Sequence, residues 1–134
     1  MTTTCNMFEQ EQQGETLVLT PATSLGEFAE TEIRAEQEAI LRRLGEAPTK
    51  NVVVDFGKTD YFGSSALGFF LRLWKLVRGR DGHMAFCNLS AHEREILVVC
   101  RLDSLWSLHP SRAEALKAVR GAARPSRRGL VNAR

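Results

Sequence analysis

Cysteine is scarce in this chain, and so are the residue patterns that mark a dedicated chemical site. The three cysteines, Cys5, Cys87 and Cys100, are too few and too scattered for a disulfide framework. The three histidines, His83, His92 and His109, fall in separate segments, and no Cys or His pair has metal-ligand spacing. No stretch approaches the run of about 18 apolar residues that a bilayer span needs. The N-terminus, Met1–Asn6, is Thr-rich and lacks a basic region followed by an apolar one, so it does not read as a secretory signal. No phosphate loop of the GxxxxGK type is present. These absences leave a cytoplasmic protein with reduced thiols, no metal, no cofactor and no catalytic constellation.

What remains is ordinary globular composition: 134 residues, 43% hydrophobic and 25% charged, enough for one domain. The net charge of +2 conceals a division. Arg120, Arg124, Arg127, Arg128 and Arg134 follow the last acidic residue, Glu114, whereas residues 1–119 carry 13 basic and 16 acidic side chains. The basic excess belongs to the tail. Residues 120–134 have Gly, Pro and Ser and no apolar period, which predicts a disordered, solvated tail. Arginines without an interleaved aromatic are a weak nucleic-acid or membrane signal, and no direct nucleic-acid contact is expected.

Short apolar runs alternate with longer amphipathic ones. Thr16–Thr20 reads as a strand stopped by Pro21, and part of Cys5–Thr20 as an N-terminal hairpin. From Leu25 to Leu44, Phe28, Glu32 or Ile33, Ala35, Ala39, Ile40 and Leu44 give a helical period, ended by Gly45 and Pro48. Asn51–Phe56 contains three consecutive valines, the pattern of a strand buried on both faces at the centre of a sheet. A strong helix opens at Ser64 or Ser65, runs through Leu67, Phe70, Leu71, Trp74 and Val77, and closes near Gly79–Gly82. Phe70, Leu71 and Trp74 are its expected core side chains, and Arg72, Lys75 and Arg78 form a basic stripe.

His83–Leu89 reads as another buried strand. Ser90-Ala91-His92-Glu93 is a capping-box signature that opens a helix toward Leu102. A short extended piece at Trp106–His109 leads past Pro110 and Ser111 into a last helix. Strands separated by helices imply crossover connections. The expected fold is α/β: a mixed, mainly parallel sheet of four or five strands with about four helices. Residues 1–13 form an N-terminal segment that includes the candidate first strand, and 14–119 form the domain.

The informative segment is residues 52–77, VVVDFGKTDYFGSSALGFFLRLWKLV. It runs from a buried strand through a polar loop into a helix opened by two serines. A helix N-terminus presents unpaired N–H groups and the positive end of the macrodipole. By residue chemistry alone, Ser64 and Ser65 are either helix caps or a site where a phosphate would be held by those donors.

This segment resembles the central motif of STAS domains, the family of bacterial anti-sigma-factor antagonists, in which a strand ending in Asp leads to Asp-Ser-Ser-Gly-Leu-Gly at a helix start. Asp55 ends the strand here, and Gly63-Ser64-Ser65-Ala66-Leu67-Gly68 occupies the motif. The likeness continues in NLSAHEREILVVCRLDSLWSLHPSRAEAL, where Arg101-Leu102-Asp103 stands at the family's Gly-Leu-Asp-like turn. It covers roughly residues 14–119.

The resemblance implies a non-enzymatic binding module whose partner is an anti-sigma factor with serine kinase activity. It makes Ser64 the phosphoacceptor, with Asp60, Gly63, Ser65 and Ala66 around it. The unmodified protein would bind and the phosphorylated one release. Gly63 replaces the usual Asp, and Ala66 the usual Gly, so a carboxylate beside the serine is missing. Alternatives within the fold are a non-phosphorylated scaffold that joins other STAS proteins, or an accessory subunit of a membrane transporter. A monomer or weak dimer is expected.

Other residues carry less. Arg72 and Lys75 are candidate partner contacts, and Trp106 is either core or a partner anchor. Cys87 and Cys100 read as small packed hydrophobes, and Cys5 as an exposed thiol. The histidines read as surface or strand-end residues. Asp55 and Asp60 flank the loop without a nucleophile–base arrangement and read as solvated or turn-capping carboxylates.

Overall fold

A computed structural model of the chain describes residues 8–21, 30–45, 49–59 and 64–121. Strand β1 (Phe8–Gln13) turns back into β2 (Thr16–Pro21), and the chain continues through helix α1 (Glu30–Leu44) and strand β3 (Asn51–Asp55). Helix α2 (Ser64–Gly79), strand β4 (Met84–Cys87) and helix α3 (Ala91–Val99) follow. A 3-10 turn at Leu102–Ser104, strand β5 (Ser107–His109) and helix α4 (Arg112–Gly121) complete the described chain. The sheet has five strands in the order β1-β2-β3-β4-β5. Only β1 runs antiparallel to its neighbour. The Asn51–Phe56 segment thus supplies the central strand.

Alternation along the strands divides the interior into two layers. Leu17, Leu19, Val52, Val54, Met84 and Phe86 point to the face packed by α1, α2 and α3. Val18, Val53, Ala85 and Cys87 point to the opposite face, where Ala115, Leu116 and Val119 of α4 cover them. Helix α2 buries Ala66, Phe69, Phe70, Leu73 and Val77, a full apolar stripe at three- and four-residue spacing. Leu71 and Trp74 are only partly buried, a correction to the expected core. They sit one position past Phe70 and Leu73, rotated toward the edge of the stripe, and Arg78 lies over the Trp74 ring at 4.9 Å.

The hairpin turns through Gly14, whose φ of +60° supplies the left-handed residue such a two-residue loop requires. Pro21 ends β2 inside the ladder, opposite Phe8, rather than before it. Facing solvent, β1 carries polar Glu9, Gln10, Glu11 and Gln12, a composition that discourages pairing with another chain. At the end of the sheet that carries the hairpin turn, Gly82 follows α2, and a Cβ there would overlap the Lys50 carbonyl oxygen. Glycine is therefore required by contact and not by φ.

Helix α3 begins with the expected reciprocal cap. The Glu93 N–H donates to Ser90 Oγ at 3.1 Å, and the Ser90 N–H donates to Glu93 Oε1 at 2.8 Å. The helix ends at Val99, short of Leu102, because Arg101 takes a left-handed φ of 62°. That is the position where the family pattern has Gly. Helix α4 extends through Gly121, so Arg120 and Gly121 belong to the last helix and not to the tail. The remainder of the expected tail, 122–134, and the start of the first expected helix, 25–29, lie outside the described residues.

Candidate functional site

The site is built where β3 hands the chain to α2. Helix α2 starts at Ser64, with Ser65 beside it and no acidic residue in its first turn. Its N–H groups and dipole therefore meet no side-chain carboxylate from that turn. The next residue, Ala66, is buried in the core, so the methyl that departs from the family pattern is absorbed by packing. Asp60, Gly63 and Cys5 lie outside the described residues.

Asp55 ends β3 with only 6% of its surface exposed, and both carboxylate oxygens are engaged. Oδ1 accepts from the Gly57 N–H at 2.8 Å and from Asn88 Nδ2 at 2.9 Å. Oδ2 accepts from Arg112 Nε at 2.9 Å. Burial pushes the carboxyl's pKa up, but the bonds from Asn88, Arg112 and Gly57 outweigh it and hold the group below its ordinary 3.8. Of the two readings, turn-capping is the one that holds. Arg112 is held more firmly protonated, chiefly by its bond to Asp55. Its remaining nitrogens reach Glu11 Oε1 at 3.0 Å and Thr20 Oγ1 at 3.1 Å.

Asn88 meets Asp55 from a left-handed φ of 58°, a conformation asparagine tolerates better than most residues. Neither Asn88 nor Arg112 could be picked out in the sequence. They stand 33 and 57 residues from Asp55, and no local spacing announces such a contact.

The basic stripe is partly spoken for. Arg72 Nη2 lies 2.8 Å from Glu38 of α1, in an exposed pair that ties α1 to α2. Lys75 is exposed, and Arg78 is parked over Trp74. Trp106 is 2% exposed and lies in the core, so it is no partner anchor. Its ring stacks on Phe86 beside the short strand β5.

Cys87 is buried beneath α4, and that burial pushes its thiol up to about 12. Cys100 is exposed, contrary to its expected packing, because it caps the end of α3 instead of lying within its apolar stripe. His83 precedes β4, His92 lies in α3 and His109 ends β5. Among the described residues no group of three or more His, Cys, Asp or Glu is placed to hold a metal.

Residues 8–115 match the STAS domain family. BtrV of Bordetella bronchiseptica, by name a candidate anti-sigma factor antagonist, is 33% identical over 89 residues, 66% of this chain and 77% of BtrV. Among solved structures, an anti-sigma-factor antagonist (STAS) domain protein from Planctomyces limnophilus superposes with a TM-score of 0.69 at 24% identity, covering 84% of this chain and 97% of that one. The anti-sigma factor antagonist SpoIIAA in its unphosphorylated form gives 0.73 at 20% identity, covering 85% and 96%. The phosphorylated form of SpoIIAA, a Bacillus cell fate determinant, gives 0.62 at 22%, covering 84% and 98%. These last three likenesses concern the fold, whereas the family match spans most of the sequence. The chain belongs to the STAS domain family, and its relatives are named anti-sigma factor antagonists.

Proposed function

We propose that this protein binds an anti-sigma factor through the surface at the start of α2, and that phosphorylation of Ser64 by that partner, acting as a serine kinase, dissolves the complex. It acts by binding and not by catalysis, in the cytoplasm. The observation that carries the reading is Ser64 at the opening of α2, in a first turn that holds no carboxylate. A phosphate there would gain backbone N–H donors and a favourable dipole, so the domain could accept it without refolding. The partner would instead meet about −1.5 to −2 charges at its docking surface. SpoIIAA, which shares the fold, exists in both unphosphorylated and phosphorylated forms, which supports the same chemistry here.

The test is affinity capture of the native protein followed by mass spectrometry, with binding then measured on the captured anti-sigma factor. Wild type and Ser64→Ala should bind alike, Ser64→Asp should bind more weakly, and phosphate should appear on Ser64 of the wild type alone. A Ser64→Asp protein that binds as tightly as wild type, with Ser64 unmodified in cells, would replace the switch by a scaffold.

A further inference from the structure

We propose that Arg112 is a positioning residue for the Ser64 switch, acting through the Asp55 carboxylate on the turn from which the chain departs toward α2. The inference rests on Ser64 being the switch. Its physical basis is the way Asp55 is held. The guanidinium takes one carboxylate oxygen, which fixes the rotation of the group and aims the other oxygen at the Gly57 N–H. The approach is close: a Cβ on Gly57 would come within 3.1 Å of Asp55 Oδ1.

The turn then closes with the Thr59 N–H on the Phe56 carbonyl at 3.2 Å, and residues 60–63 separate it from Ser64. Arg112 itself is anchored by Glu11 and Thr20, so one side chain of α4 reads the positions of β1, β2 and β3 together. Helix α4 lies on the sheet face opposite α2. The contact therefore ties the head of α4, across the sheet, to the turn from which the chain leaves for α2.

The experiment is backbone amide exchange and amide chemical shift, measured by NMR on the full chain. Arg112→Gln should accelerate exchange at Gly57 about tenfold, equivalent to about 1.4 kcal/mol, and should shift the Ser64 and Ser65 amides. Val53 and Phe86 should keep their protection, and Cys87 should stay closed to a thiol reagent. Glu11→Ala and Thr20→Val, which remove the other two acceptors of Arg112, should leave Gly57 unchanged.

An unaltered Gly57 amide, unmoved Ser64 and Ser65 amides, or shifts confined to α4, overturns the proposal. So does Cys87 becoming reactive in step with Gly57, since that reports α4 loosening as a whole. Should Arg112→Gln not fold, Arg112→Lys keeps the charge, loses the fork and is read in the same way. No partner enters these measurements. A negative result here leaves phosphorylation of Ser64 intact, and an unphosphorylated Ser64 leaves the coupling to Gly57 measurable.

Discussion

Trp106 lies stacked on Phe86, with ring centroids 4.6 Å apart and planes within 17° of parallel. Phe86 in turn meets Phe70 edge-on at 5.3 Å and Phe56 face to face at 5.8 Å. Four aromatics contributed by the residue after β3, by α2, by β4 and by the approach to β5 thus form one continuous packing unit.

Truncation inside that unit should be expensive. Phe86→Ala and Trp106→Ala should each cost about 3–5 kcal/mol, read from urea unfolding. Trp106→Phe should cost clearly less, because the buried Nε1–H has no hydrogen-bond partner among the described residues and its loss orphans nothing. Equal costs for the Phe and Ala replacements would show that the ring's packing on Phe86 contributes nothing.

Arg101 is a non-glycine residue at a φ of 62°, just past the end of α3. Arg101→Gly relieves the contact between Cβ and backbone that makes this region unfavourable for L-residues. The expected change is a gain of about 0.5–1 kcal/mol, after the greater freedom of glycine in the unfolded chain is counted. A thermal midpoint that fails to rise would show that the arginine side chain holds a compensating contact.

Two glycines should respond in opposite directions. Gly82→Ala drives a methyl into the Lys50 carbonyl and should destabilise by at least about 1–3 kcal/mol. Gly68→Ala adds a methyl in open space on an exposed face of α2 and should stabilise by about 0.5–1 kcal/mol. Thermal melts of the two variants, run side by side, decide both.

Asp55 should leave a signature in acid. Its folded pKa lies below its ordinary 3.8, so the stability it contributes is fully present above that value. It is lost as pH falls through the lower, folded value. Stability measured from pH 7 down to pH 2 should therefore fall less steeply in Asp55→Asn than in wild type below about pH 4, with the variant the weaker of the two at neutral pH. Parallel curves would remove Asp55 from the acid response.

Much of this was legible in the sequence because it is locally encoded. The valine run of β3, the Ser90–Glu93 box and the pair of serines at α2 each announce themselves within a few residues. The correct fold followed from their order. Trp74 and Trp106 were harder, since their burial depends on which neighbour arrives from elsewhere in the chain. Trp106 gained a partner in Phe86, while Trp74 was left on the rim with Arg78. The Asp55 cluster is the extreme case: its members come from β1, β2, β3, α4 and the residue after β4, and periodicity carries no information about such a meeting.

The coverage of the second sheet face by α4 alone, among the described residues, has a consequence for the order of assembly. Helices α1, α2 and α3 can settle onto their side as soon as β2, β3 and β4 have been made. Val18, Val53, Ala85 and Cys87 must wait for residues 112–121. A nascent chain at that stage is one-sided, with a sticky apolar strip turned to water and prone to self-association. That face is covered only once residues 112–121 have been made, and Arg112, at the head of α4, then joins that helix to Asp55 of β3.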